Sequence, residues 1–220
     1  VLCTSAFFDE ELFGDTVHPY RHQYPDHVLP FWHARMRQFL SDRRSIVIVA
    51  TVEDAGVEKI AGMATWQRQG DDEGAQKIMH AWKDHGLPPL PEVQNRAIDP
   101  TKRTILQDAY PYFKYHWDAT TNGIPRSQNW YLNLCAIGPA HQKRGIGQVL
   151  VAWGLERARQ ENVHASTISS YQNEKFYLRC GFDDIVGNCR EGEDNPLRIA
   201  GVKGGEILFM WARESGQETM

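Results

Sequence analysis

The joint that most constrains this chain is the passage from Trp130–Ile137 into the residues that follow it. The stretch reads as a strand and runs into Gly138-Pro139-Ala140-His141 and then Gln142-Lys143-Arg144-Gly145-Ile146-Gly147. Beyond it Ile146, Val149, Leu150 and Trp153 recur at helical spacing, which predicts a helix from about Gly145 to Gln160 with those residues on its apolar face. The first turn of such a helix leaves backbone N–H groups without internal partners, and together with the helix dipole they attract anions. Gly145 and Gly147 remove side chains where an anion would approach the backbone, and Lys143 and Arg144 add positive charge there. Gly-x-Gly alone is weak and also suits a tight strand-to-helix connection. The third glycine of a dinucleotide fingerprint is missing, with Leu150 following Gly145 and Gly147, and so is the Gly-Lys-Ser/Thr of an NTPase loop.

Around this joint the pattern alternates. Phe31 to Leu40 predicts an amphipathic helix with Arg35, Arg37 and Gln38 outward, after pieces broken by Pro19, Pro25 and Pro30. Ser45 to Val52 is β-branched and nearly all apolar, which predicts a strand buried on both faces, with Ile60 to Gln67 as its hairpin partner. Residues 68–128 are the least regular. They hold a polar helix over Asp71 to His85 and a second helix within Thr101 to Trp117, broken at Pro111. After the central helix come a strand at His164 to Ser169, a helix at Gln172 to Arg179 closed by Gly181, and strands at Phe182 to Val186 and Glu206 to Trp211. The polar linker Gly187 to Gly205 is expected to be exposed, and residues 215–220 to be a frayed tail. The order predicts an α/β chain with a mixed sheet, and a length of 220 residues suits one domain, 1–220.

Composition narrows the function classes. A net charge of −4 without a basic stripe argues against nucleic acid and against an anionic membrane surface. Cys3, Cys135, Cys180 and Cys189 form no Cys-x-x-Cys pair and are too sparse for a disulfide scaffold. They read as free thiols in a reducing compartment, so a cytoplasmic or nuclear location is expected. His18 and His22 have i, i+4 spacing but Pro19 lies between them and no Glu motif accompanies them, so no metal is expected.

The stretch Leu134 to Leu150, with Gln142-Lys143-Arg144-Gly145-Ile146-Gly147 at its centre, resembles the acetyl-CoA-binding motif of the GNAT superfamily of N-acetyltransferases. Downstream, Phe176-Tyr177-Leu178-Arg179-Cys180-Gly181-Phe182 is similar to that superfamily's second motif, a tyrosine followed by Gly-Phe. The two motifs in this order are far more specific than either alone. The resemblance covers roughly Ser45 to Arg213, with 68–128 unmatched. It implies a GNAT-like acyltransferase fold and acetyl-CoA as acetyl donor. The family begins with a strand before its first helix. None is readable here, so a truncated start is expected, with Val1 to Phe8 as the end of that helix.

The resemblance also implies roles. Backbone amides from Lys143 to Gln148, including those of Arg144, Gly145, Ile146 and Gly147, would hold the pyrophosphate, with Gln142 shaping the turn. The strand end Cys135, Ala136 and Ile137 would pair with the pantetheine arm and polarise the thioester carbonyl; a core strand with a buried thiol is the plain alternative. Ser170 stands where many members have a pantetheine-binding Asn, and serves equally well as a helix cap. Tyr177 matches the tyrosine that protonates the leaving thiolate. A primary amine with pKa about 10.4 also needs a base. The family's common glutamate is missing from the third strand, where Tyr131 and Asn133 share a face by period-2 spacing and could position substrate or water. Among the histidines His116 is the leading candidate, over His141 and His164. The insertion and residues 9–35 would wall the acceptor site. Trp82, Tyr110, Tyr112, Phe113, Tyr115 and Trp117 suggest an apolar or aromatic acceptor, or simply a second small core. The expected partner is a small-molecule amine, with a homodimer as the candidate assembly. Two alternatives stand: a protein or peptide acetyltransferase, and a non-catalytic acyl-CoA-binding module.

Overall fold

The structure is a computed structural model that describes residues 1–91 and 93–213, so the tail expected at 215–220 lies outside the described residues. The first half holds α1 (Leu2–Ala6), a π-helical stretch Glu11–Val17, α2 (Val28–Ser41), β1 (Ser45–Asp54), β2 (Val57–Arg68), α3 (Glu73–Ala81), α4 (Ile105–Phe113) and α5 (Tyr115–Asp118). The second holds β3 (Thr120–Thr121), β4 (Ile124–Pro125), β5 (Asn129–Ile137), α6 (Ile146–Glu161), β6 (His164–Ile168), α7 (Glu174–Cys180), β7 (Asp184–Asn188), α8 (Pro196–Ile199) and β8 (Glu206–Met210). Six strands form one sheet in the order β1-β2-β5-β6-β8-β7, and β3 and β4 make a separate small ladder. Among the described strands only β5 and β6 run parallel. A parallel pair needs a crossover, and α6 supplies it.

The sheet is covered on both faces. Trp130 and Leu132 of β5 pack with Leu150, Val151 and Leu155 of α6 on one face. Leu134 and Ala136 pack with Cys3 of α1 and Trp32 of α2 on the other. A third cluster joins Phe113 and Trp117 to Phe209 and Leu197 beneath the β6–β8 side. Arg68 is 1% exposed and ties the halves together, reaching Glu161 at 2.7 Å and Asp72 at 2.6 Å. Asp72 also caps α3 through the Gly74 and Ala75 amides.

Three expectations change. β1 is an edge strand with its C-terminal half exposed, and Val49 is 52% exposed. Its β-branched run reflects strand propensity, not burial on both faces. On α6 the buried residues are Leu150, Val151, Gly154, Leu155 and Ala158, while Val149 is 68% exposed. The small residues turn toward the sheet because the ring of Trp66 lies directly against Gly154 and donates its Nε1–H to Leu150 O at 3.2 Å. Finally, residues 187–205 are not an exposed linker. Asn195 is fully buried, with Nδ2 on the carbonyls of Cys189 and Glu191 at 2.9 and 2.8 Å, and Leu197 is 1% exposed. A polar sequence can be buried when its side chains satisfy its own backbone. Among the described residues no helix is long and apolar enough to cross a membrane.

Candidate active site

The site begins where the parallel pair parts. β5 and β6 are in register from Asn129↔His164 to Leu132↔Thr167, and no further. β5 continues to Ile137 paired with β2 alone, so its β6-facing edge past Leu132 carries backbone groups without a strand partner. Such an edge is ready to take an extended ligand as an added strand. The β2–β5 register also shifts, from Thr65↔Leu134 to Trp66↔Leu132, which leaves Asn133 as the extra residue of a bulge. The bulge exchanges faces: Leu132 packs on the α6 side and Leu134 on the α1–α2 side. It therefore interrupts the period-2 spacing that joined Tyr131 to Asn133, although both line the same cavity.

That cavity, of about 670 Å³, reaches the start of α6. The backbone N–H groups of Gln142, Lys143, Arg144 and Gly145 donate to no described residue. Lys143 and Gly145 adopt positive φ, 59° and 80°, which turns successive amides outward. The floor is kept low by glycine. A Cβ on Gly147, in the cavity wall, would lie 3.1 Å from Phe176, and one on Gly62, behind that wall, would lie 2.7 Å from Ile137 Cδ1. Free amides, a helix start and a bare floor fit a phosphate-bearing ligand.

The cavity gathers Cys135, Ala136, Ile137, Gln142, Lys143, Gly145, Ile146, Gly147, Gln148, Ser170 and Tyr177, together with Tyr131 and Asn133. Arg144 is exposed outside it, its guanidinium 3.3 Å from His141 Nδ1. Burial pushes the Cys135 thiol up to about 12, with Cys180 adding to the effect, so it is protonated at neutral pH. The Tyr177 phenol is raised by burial, then by Cys135, Cys180 and Tyr131, and its hydroxyl bonds no described group. Burial likewise raises Tyr131, partly opposed by Arg35.

Two histidines are held elsewhere. His116 Nε2 is 3.0 Å from Glu191 Oε2, away from the cavity wall. His164 uses both ring nitrogens, on Ile124 O at 3.1 Å and Ala212 N–H at 3.0 Å. The aromatic residues of 68–128 are also absent from the wall. Phe113 and Trp117 are buried in the third core cluster, Trp82 bonds Leu40 O, and among the described residues of this region only Leu106 reaches the cavity.

The wall facing the strand edge comes instead largely from the other expected segment, 9–35, through residues that the sequence pattern did not mark one by one. Glu10 caps the π-helical turn by accepting the Phe13 N–H at 2.8 Å. Burial raises its carboxyl, opposed by the Phe13 and Leu12 amides and the Ser170 hydroxyl. Glu11 is committed to the Lys203 and Gly204 amides at 2.7 and 2.9 Å. Arg35 lines the cavity instead of facing outward. One signal for it was present: Phe31, Arg35 and Phe39 lie at i, i+4 and i+8, on one face of α2. Glu10 had none, because a π-helical turn does not follow the 3.6-residue period. Leu197 and Val202 complete this wall from the 187–205 segment.

Residues 108–182 match the model of the acetyltransferase (GNAT) family. A protein of Stachybotrys chartarum named "Acetyltransferase" is 26% identical over 192 residues, covering 84% of this chain and 74% of that protein. A crystal structure from Corynebacterium glutamicum, described as histone acetyltransferase HPA2 and related acetyltransferase, superposes with a TM-score of 0.55 at 14% identity, covering 98% of this chain and 90% of its own. At that identity the superposition speaks for the fold.

Proposed function

We propose that this chain, which has the fold and both motifs of the GNAT acetyltransferases, moves an acetyl group from acetyl-CoA to the amine of a small molecule, by direct attack in a ternary complex. One observation carries the reading. A single cavity joins an anion-ready helix start to an unpaired strand edge and ends at a wall bearing a carboxylate. Its volume of about 670 Å³ falls in the range of small-ligand sites.

Amides from Gln142 into the first turn of α6 hold the pyrophosphate, with Lys143 adding charge. The β6-facing edge from Asn133 to Ile137 takes the pantetheine amides and aims a backbone N–H at the carbonyl oxygen. Bound acetyl-CoA supplies a thioester whose carbonyl carbon the amine attacks, the C–S bond breaking as the thiolate leaves. Glu10 is the base in this reading. Its raised carboxyl is better matched to taking a proton at neutral pH than an exposed glutamate, and it occupies the role left open by the missing strand glutamate. Tyr177 keeps its proton across the physiological range and donates a hydrogen bond to the departing sulfur. Full transfer from so weak an acid to a thiolate would be uphill, so the phenol stabilises the leaving group chiefly as a donor. Cys135, held protonated, contributes backbone and not a nucleophile. A cytosolic or nuclear site of action is supported by four cysteines that are all free.

The test combines acetyl-CoA titration by calorimetry with CoA release across an amine panel. Micromolar binding with turnover on small amines supports the reading. Binding without turnover on any amine or peptide makes the chain a binding module, and turnover confined to peptides makes it a protein acetyltransferase. Absence of binding removes the donor site altogether.

A further inference from the structure

We infer that the acceptor carries a carboxylate as well as its amine, and that Arg35 is the residue that reads it. This rests on the transferase reading of the cavity.

Arg35 projects from α2 into the cavity between the rings of Phe13 and Phe39, 5.2 and 5.5 Å from its guanidinium carbon. Its Nε is buried and bonds no described group, and no described carboxylate lies within ion-pair distance. Arg157 also has a buried Nε without a partner, but it lies over the Trp153 ring outside the cavity, and the two arginines that the fold buries most deeply are paired. Arg68 has Glu161 and Asp72, and Arg21, 7% exposed, has Asp15 at 2.5 Å. A guanidinium stays protonated even where burial weakens it, as it does here. Arg35 is half-buried with its Nε out of water, so a counter-charge from whatever enters the cavity would offset the cost of that desolvation.

The cavity's own carboxylates do not supply that charge. Glu11 is consumed by two backbone amides, and Glu10 is held by the Phe13 amide. A second donor, Asn133 Nδ2 at the bulge, is also buried without a partner and lines the same cavity. Two unpaired donors call for a ligand group rich in acceptors, and a carboxylate offers two oxygens to the planar fork of an arginine. Phe13, Leu106, Tyr131 and Val202 make the rest of this wall apolar. The geometry therefore points to an amino acid with an apolar side chain as the acceptor class.

The experiment uses matched amines with wild type, Arg35→Met and Arg35→Lys. Methionine keeps the apolar stem against Phe13 and Phe39, and unchanged melting shows that the variant folds. CoA release is compared for L-phenylalanine against phenethylamine and L-leucine against isoamylamine. Wild type should favour the carboxylate-bearing member by about tenfold or more in kcat/KM. In Arg35→Met that preference should vanish through a raised KM for the amino acid, with the acetyl-CoA KM unchanged and Arg35→Lys between. Calorimetry with N-acetyl-L-phenylalanine provides a readout independent of turnover: wild type should bind it and Arg35→Met should not. Equal or better turnover of the neutral amines by wild type, equal loss of both members in the variant, or weakened acetyl-CoA binding would each overturn the assignment. Product binding that depends on Arg35 without any turnover would instead sink the transferase reading, and with it the acceptor assignment, leaving only a carboxylate contact at Arg35. Failure of both turnover and product binding would end both.

Discussion

At the α6 end of the cavity the groups available to a ligand are backbone amides, set by a positive φ at Lys143 and Gly145 and by the parting of β5 from β6. At the opposite end they are side chains, Glu10 and Arg35 among them, brought in from a π-helical turn and from α2. A backbone site depends on chain geometry, so it tolerates side-chain change so long as its glycines and bulge persist. A side-chain site is specific and can be altered one residue at a time.

The sharpest way to break this contrast is Glu10→Gln. A general base contributes roughly 10²–10⁴-fold, so kcat should fall by about two to three orders of magnitude with the acetyl-CoA dissociation constant unchanged. A comparable loss of donor binding would mean that Glu10 belongs to the donor end. The pH profile adds a sign. Burial raises the folded-state carboxyl, so wild-type kcat/KM should climb with pH along a limb above the ordinary glutamate value, and Glu10→Gln should flatten it. Stability runs the other way. A raised carboxyl contributes stability that is full below its unfolded pKa and lost as pH rises through its folded one.

Next in size is Tyr177→Phe, for which kcat should drop by about 10- to 100-fold while acetyl-CoA affinity holds. Wild-type turnover would reduce the phenol to a packing residue. Gly154→Ala probes the support beneath the donor end, because the added methyl would run into the Trp66 ring. Overpacking of this kind costs about 1–3 kcal/mol, to be read as a lower melting temperature without a change in amine preference. The smallest effect belongs to Lys143→Ala with Arg144→Ala. Both side chains are exposed, so acetyl-CoA affinity should weaken by only about two- to fivefold, and less at high salt. A larger loss would show the donor end to depend on side chains after all.

Much of the fold was legible in the chain because its signals are local. Strand, turn and helix at 130–160, and the Gly181 closure of α7, are patterns of neighbouring residues. The hidden features involve distance along the chain. Helical spacing alone puts Val149 on the apolar face, whereas the Trp66 ring against Gly154, distant in sequence, turns α6 so that Val149 is exposed. The polarity of 187–205 suggested exposure because only folding shows Asn195 turned onto its own loop. Aromatic density in 68–128 suits either an acceptor wall or a second small core; Phe113 and Trp117 take the second course, Trp117 lying against Tyr131 and Phe209, while Tyr110, Tyr112 and Tyr115 are exposed.

The sequence by itself marked the anion-ready helix start. Its residues are contiguous from Cys135 to Gln148, and although Gly-x-Gly alone also suits a tight turn, the second motif at Phe176 to Phe182 makes the resemblance specific. Only the tertiary structure decided which side chains face the opposite end of the cavity. Whether Glu10 is buried, or Arg35 lacks a carboxylate, depends on what the rest of the fold leaves beside them, and no run of neighbouring residues encodes that.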